Sequence, residues 1–303
     1  MFNSRAKLFL LAAVLFAVSF APSVASGQQA AVSADPPIDH AFPASMDSFQ
    51  IPSHGAALNA IAYLAAGAGP HPVVLLLHGF PGNEKNLDLA QAIRRAGWTV
   101  VYFDYRGSWG TPGNFTFGGS LEDTAAAIAY VRSPANVARL RVDPKRIVLL
   151  GHSMGGFMAA YNGAHDSGIL GIGLISAANM GSIAANPTTP EAIAATRKEL
   201  GARLEHEDIL PLAGCTGESL AQELIDHRGT WDFAAYSNLF GNRPLLVITS
   251  DDGLAAAAGK LAQTAIAQGS SHVTQQHFPT DHSYSDHRIA LTTAVLNWLA
   301  GIQ

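Results

Sequence analysis

Arg146-Ile147-Val148-Leu149-Leu150-Gly151-His152-Ser153-Met154-Gly155-Gly156-Phe157-Met158-Ala159-Ala160 is the stretch on which the fold turns. Residues 147–150 form a short, continuous apolar run, as expected of a strand buried on both faces. Residues 157–164 are rich in Ala and read as a helix. Only Gly151 to Gly156 lies between the two, in a G-x-S-x-G pattern. The glycines permit the bend and a close approach of neighbouring backbone. The turn forces Ser153 into a strained conformation and lifts its hydroxyl above the end of the strand. In a chain this rich in Gly and Ser the pattern alone is weak; its place between a strand and a helix gives it meaning.

Outward from this turn, apolar runs at 73–77, 100–103, 169–175 and 245–249 alternate with helical stretches at 86–96 and 121–131. Alternation at this spacing predicts an α/β fold: a mostly parallel central sheet joined by right-handed crossovers and flanked by helices. Ligands in such sheets bind beyond the carboxyl ends of the strands. Residues 179–242 interrupt the alternation with helical stretches at 190–204 and 219–227, followed by Trp231, Phe233 and Tyr236. They read as a helical cap inserted into one domain spanning 46–303. Residues 27–45 carry no periodicity and read as a linker.

A serine hydroxyl becomes a nucleophile only when a base takes its proton, and that base needs an acceptor on its other ring nitrogen. At strand-turn-helix serines of this kind, the acid and then the histidine follow in sequence. After the run 245–249 come Asp251 and Asp252. Asp252 is preferred because an acid a few residues past the strand end has room to turn back, and Asp251 stays open beside it. Asp104, after another strand, ranks third and reads with Arg106 as a loop brace. A strand at 273–278 and a helix at 290–299 bracket the loop that carries His282, the expected base, with His287 as the alternative. His277, His282 and His287 recur every five residues, but on a strand, a loop and a helix even spacing does not converge three rings on a metal. No metal or other cofactor is expected.

Oxyanion donors are expected from the backbone N–H of Met154 and from the loop His78-Gly79-Phe80-Pro81-Gly82, where Phe80 is the natural donor and Pro81 has no N–H. Trp109, Trp231 and Tyr284 are candidate substrate contacts, with Phe115 and Phe117 possible further lining. Cys215, the only cysteine, reads as an ordinary small residue of the cap and cannot form an internal disulfide.

Taken in order, the HGF run, the FDYRG run after the next strand, GHSMGG, the Asp pair and the DHS run resemble the α/β-hydrolase superfamily. The resemblance extends over residues 70–299. Residues 103–118 are similar to the dienelactone-hydrolase-like and prolyl-oligopeptidase-like branches. The resemblance implies cofactor-free hydrolysis of a carboxylic ester, amide or related acyl bond through an acyl-enzyme. Phe80 departs from the tyrosine that often supplies an oxyanion hydroxyl in the peptidase branch, which favours an esterase over the alternative peptidase or amidase. A non-catalytic binding protein on the same fold is the alternative from another class, and a dehalogenase is disfavoured because that chemistry normally places a carboxylate where Ser153 stands.

Composition fits an ordered domain: 48% of the 303 residues are hydrophobic and 14% charged, too apolar for disorder. The net charge of −5 and the lack of a basic run give no nucleic-acid footprint. A mean hydropathy of +0.17 raises the question of a membrane protein. Part of it comes from the N-terminus, where Arg5 and Lys7 precede an apolar stretch over 8–20, then Pro22 and small residues. This is the layout of an export signal over residues 1–26, cut after Ala25 or after Ser26. The expectation is a periplasmic or secreted protein, with no stable membrane insertion once the signal is removed, acting on a small-molecule acyl substrate. The sequence leaves the oligomeric state open.

Overall fold

The computed structural model describes residues 30–184, 186–207 and 209–302. The expected export signal lies outside the described residues. Eight strands make one sheet: β1 (Ser45–Ser53), β2 (Ala56–Leu64), β3 (His71–Leu77), β4 (Thr99–Phe103), β5 (Val142–His152), β6 (Gly171–Ile175), β7 (Leu245–Thr249) and β8 (Val273–His277). Their spatial order is β1-β2-β4-β3-β5-β6-β7-β8. From β4 to β8 all neighbours pair in parallel, whereas β2 runs antiparallel to both β1 and β4. The winding reverses between β3 and β5, which opens a crevice beyond their carboxyl ends.

The inner strands are apolar because both of their faces are covered. Val73, Leu75 and Leu77 of β3 face one core with Ile147 and Leu149 of β5. Val74, Leu76, Val148 and Leu150 face the other. The first core is closed by α2 (Phe117–Arg132), α4 (Met154–His165) and α8 (Ala255–Ala267), the second by α1 (Leu87–Arg95) and α9 (Arg288–Ala300). A short α3 (Pro134–Leu140) leads into β5.

The first two strands went unread in the sequence. β1 and β2 form a hairpin closed by His54 and Gly55, both at positive φ as a two-residue turn requires. β1 is largely exposed, so it lacks the apolar run that marks the inner strands. Residues 30–33, inside the expected linker, form a helical turn whose Ala31 is buried in the second core. Arg95 Nε donates to the Ala31 carbonyl at 2.7 Å.

Residues 179–242 carry α5 (Met180–Ile183), α6 (Pro190–His206) and α7 (Gly217–His227). This insertion is fastened to the body. Glu223 of α7 accepts from the N–H groups of Phe117 and Gly118, both at 2.8 Å, at the N-terminus of α2. The N–H of Phe115 donates to the Ala213 carbonyl at 2.9 Å, and the N–H of Ala213 to the Gly107 carbonyl at 2.7 Å.

The turn from β5 to α4 depends on missing side chains. A Cβ at Gly155 would stand 2.1 Å from the Leu77 carbonyl oxygen, and one at Gly156 2.4 Å from the Ala177 Cβ. Gly155→Ala must therefore force the helix away from β3. The expected cost is at least about 2 kcal/mol of stability, read as a lower thermal midpoint. An unchanged midpoint would refute this packing.

Candidate active site

Ser153 sits at the apex of the turn with φ 58° and ψ −121°, a conformation rarely adopted by residues with a side chain. Three backbone bonds hold it there. Its N–H donates to the Ile175 carbonyl at 2.9 Å, and its carbonyl accepts from the N–H groups of Gly156 and Ala178, both at 3.0 Å. The loop after β3 runs alongside: a Cβ at Gly79 would lie 2.9 Å from the Ser153 Cβ and 3.4 Å from its Oγ. Glycine at 79 is what brings Phe80 next to the serine.

Of the two candidate acids, Asp252 faces His282. The His282 Nδ1 lies 2.8 Å from the Asp252 Oδ2, and the carboxylate side chain is 5% exposed against 39% for the imidazole. Burial would raise the Asp252 carboxyl. Hydrogen bonds from His282, the Leu254 N–H, Ser176 and Ser250 outweigh burial and hold it far below the usual carboxylate range. Asp251 points the other way, 3.1 Å from His277 Nε2, and His277 Nδ1 is 3.0 Å from Thr249 Oγ1. Asp104 accepts from the Tyr102 hydroxyl at 2.7 Å and from Lys85 at 3.1 Å. Arg106 Nε pairs with Asp123 at 2.7 Å. His287 pairs with Asp286 at 2.8 Å. The three evenly spaced histidines thus take three different carboxylates, and among the described residues no group of His, Cys, Asp or Glu is arranged around a metal.

Ser153, Met154, Phe80, Asp252 and His282 all line one cavity of ≈ 480 Å³. Phe117, Met180, Ile183, Leu204, Leu224 and Leu254 supply apolar wall, and Arg203 of α6 and Glu207 just after it add charge. Roomier hollows elsewhere, such as the one along Arg132, Asn162 and Asp166, are surface grooves that contain none of these groups. Trp109, Trp231 and Tyr284, expected to touch substrate, do not line the cavity. Trp109 Nε1 donates to the Pro81 carbonyl at 2.9 Å, with Lys85 Nζ 4.3 Å from its ring centroid, so it braces the loop that carries Phe80. Trp231 is buried between His227 and Phe157. Tyr284 is fully buried beneath the His282 loop. Phe115 packs in the core behind Phe80 and Phe117.

The sequence reading missed His152. Its Nε2–H donates to the His282 carbonyl at 2.8 Å, and the two rings lie 4.6 Å apart between centroids. Burial, reinforced by nearby His282, lowers its pKa to about 3, so the ring is neutral and its proton sits on the nitrogen that holds the loop. Its position just before Ser153 in the turn was the available signal.

The residues thus brought together can be set beside known proteins. A family model described as Alpha/beta hydrolase family matches residues 74–292. The chain belongs to the alpha/beta hydrolase family. Among solved structures of this fold, the carboxylesterase EstE1 from a metagenomic library is similar at a TM-score of 0.57 and 24% identity, covering 92% of this chain and 95% of that one. A thermostable carboxyl esterase from Bacillus coagulans is similar at 0.65 and 16%, over 85% and 99%. Curated relatives match over less than half of their own length. An uncharacterised Mycobacterium tuberculosis protein is 30% identical over 125 residues, 41% of this chain and 43% of that protein. The lysophosphatidylserine lipase ABHD12 of Danio rerio is 31% identical over 88 residues, 28% of this chain and 21% of that protein.

A pH dependence of stability follows from the buried histidines of this protein. His152 falls to about 3 and His78, buried behind the Phe80 loop, to about 4, each from 6.5. Folded-state values below the unfolded one mean that the unfolded chain takes up the protons. Stability is then intact above about pH 6.5 and is lost as pH falls toward the folded values. Each histidine should cost about 2 kcal/mol between pH 7 and pH 5. Thermal unfolding across that range should show a steeper fall for the wild type than for His152→Gln; equal slopes would contradict the assignment.

Proposed function

We propose that this protein is a serine hydrolase that cleaves carboxylic esters through an acyl-enzyme. The observation that carries the reading is the single cavity shared by Ser153, His282 and Asp252 with Phe80 and Met154, in which Asp252 is aligned on the Nδ1 of His282. With Nδ1–H donated to Asp252, the neutral ring keeps Nε2 as its basic nitrogen. Ser153 attacks the carbonyl carbon while His282 takes the hydroxyl proton, and Asp252 stabilises the imidazolium that forms. The N–H groups of Phe80 and Met154 receive the oxyanion. His282 then passes its proton to the departing alcohol, and water repeats the sequence to release the acid and restore the serine.

An ester is favoured over an amide by the esterases of similar fold and by the absence of a tyrosine hydroxyl at position 80. The apolar wall suits the acyl chain of a small ester. The run at 103–118, whose Gly107 and Phe115 bond to the insertion, supports a place beside the dienelactone-hydrolase-like and prolyl-oligopeptidase-like branches. Ser153→Ala should lower kcat by at least about 1,000-fold with the fold intact. A fluorophosphonate should label the wild-type peptide containing Ser153, and turnover of p-nitrophenyl esters should exceed that of aminoacyl p-nitroanilides. Near-normal turnover by Ser153→Ala would sink the mechanism, and faster anilide cleavage would make the protein an amidase.

We further propose that the protein is exported. The charged start, apolar stretch and small residues over 1–26 support this. The protein recovered outside the cytoplasm should begin at Ser26 or Gly27 by mass spectrometry. Full-length protein retained inside would count against export.

A further inference from the structure

Three hydroxyl groups outside the cavity converge behind Asp252. Ser176 follows β6, Ser250 follows β7, and Tyr284 lies two residues past His282. The Ser176 Oγ is 2.9 Å from the Ser250 Oγ and 2.9 Å from the Tyr284 Oη. All three residues are essentially inaccessible to solvent. Ser176 and Tyr284 have φ values of 42° and 57°. Two left-handed residues with side chains in one small cluster are costly, and such conformations persist where the surroundings demand them. A core would be filled as well by alanine and phenylalanine, so the polar atoms need another explanation.

The hydrogens supply it. Each of the three groups carries one O–H, and the only member of the cluster without a proton is the Asp252 carboxylate. The Tyr284 phenol stays protonated across any working range, since burial pushes it up to about 12. Every donor can therefore be used if the protons all point toward Asp252: Tyr284 to Ser176, Ser176 to Ser250, and Ser250 to the carboxylate. Both serines lie near enough to Asp252 to help hold its carboxyl low, which fits this direction.

Resting on the reading of Asp252 as the partner of a catalytic His282, we propose that Tyr284, Ser176 and Ser250 form a directed hydroxyl chain that positions Asp252 and moderates its pull on His282. They are positioning residues, for none lines the cavity that holds Ser153. The O–H dipoles aim positive ends at the carboxylate and offset part of its charge. Without them Asp252 presents more negative potential to His282, the imidazolium is stabilised, and a higher pH is needed to free the base. The other groups around His282 are the neutral ring of His152, Arg203 of α6 and Glu207 just after it, Arg288 at the start of α9, and the exposed Asp281 and Asp286 of its own loop. Substitution in the hydroxyl chain leaves each of these in place, so a shift is traceable to Asp252.

The test is the pH profile of kcat/KM on a short-chain p-nitrophenyl ester for the wild type, Tyr284→Phe, Ser176→Ala, Ser250→Ala and Asp252→Asn, with thermal midpoints beside it. Tyr284→Phe and Ser176→Ala should lower kcat by about threefold to tenfold with KM unchanged. They should also move the acidic limb upward by about 0.5 pH unit. Ser250→Ala should shift the limb in the same direction and provides the readout if Ser176→Ala does not fold. Lower midpoints with an unmoved limb would show a purely structural cluster and overturn the proposal. A limb unmoved by the hydroxyl variants while Asp252→Asn is crippled refutes the hydroxyl chain alone. An active Asp252→Asn with an unlabelled wild-type Ser153 refutes the underlying catalytic reading as well.

Discussion

The contact between the start of α4 and the strands on either side of β5 is the constraint from which the rest of the site follows. A Cβ at Gly151 would lie 1.9 Å from the Gly155 carbonyl oxygen, and Gly155 and Gly156 are as tightly held against Leu77 and Ala177. Only three glycines in a six-residue turn let β3, β5, β6 and a helix meet at one point. Ser153 takes up the resulting bend. Its left-handed conformation costs on the order of 1–3 kcal/mol, opposed by backbone bonds to Ile175, Gly156 and Ala178. The serine is thus held in place by main chain of β6, the segment after it and α4, and its own side chain is left for chemistry.

The sheet then delivers the remaining groups without further invention. Because the winding reverses at β3 and β5, the loop after β3 and the turn after β5 emerge side by side, which is why Phe80 and Met154 flank Ser153. β7 and β8 bring Asp252 and His282 to the same edge. Their loops are long enough to turn back toward the crevice, so they need ties of their own. His152 holds the carbonyl of His282, and the Asp251 N–H donates to the Thr280 carbonyl at 3.0 Å. These bonds join the Asp252 and His282 loops to each other and to the serine turn, so the precision of the site comes from loops anchored on rigid strands.

What the sequence disclosed follows the strength of the local signal. β3 to β7 are apolar on both faces, so they stand out as runs, and the glycine pattern around Ser153 allows one local geometry. β1 escaped because a strand with one open face carries polar residues, and its turn, His54-Gly55, is not a marked hairpin pair. Asp252 and Asp251 are adjacent on a turn, and only the position of His277 on β8, a partner for Asp251, separates them in space. The aromatics were the least legible. Trp109, Trp231 and Tyr284 are large, polar-tipped side chains near the loops of the candidate site, but each finds a use for its bulk or its donor inside the protein. Amphipathic rings serve packing as readily as binding, and sequence distance from a catalytic residue does not distinguish the two.

The insertion shows what those aromatics do for the site. Trp231, Phe233 and Tyr236 surround Phe157, which stands on α4 one turn beyond Ser153. Glu223 closes the N-terminus of α2 with two backbone bonds, and its neighbour Leu224 on α7 faces Phe117 of α2 across the cavity. A carboxylate on a helix N-terminus is favoured by both the free N–H groups and the helix dipole. The residues that fix the insertion are therefore adjacent in sequence to those that shape the cavity. Moving α7 away from α2 would open the apolar wall and leave two N–H groups without their carboxylate acceptor at once, so the cavity beside Ser153 belongs to the folded core rather than to a loosely hinged cover.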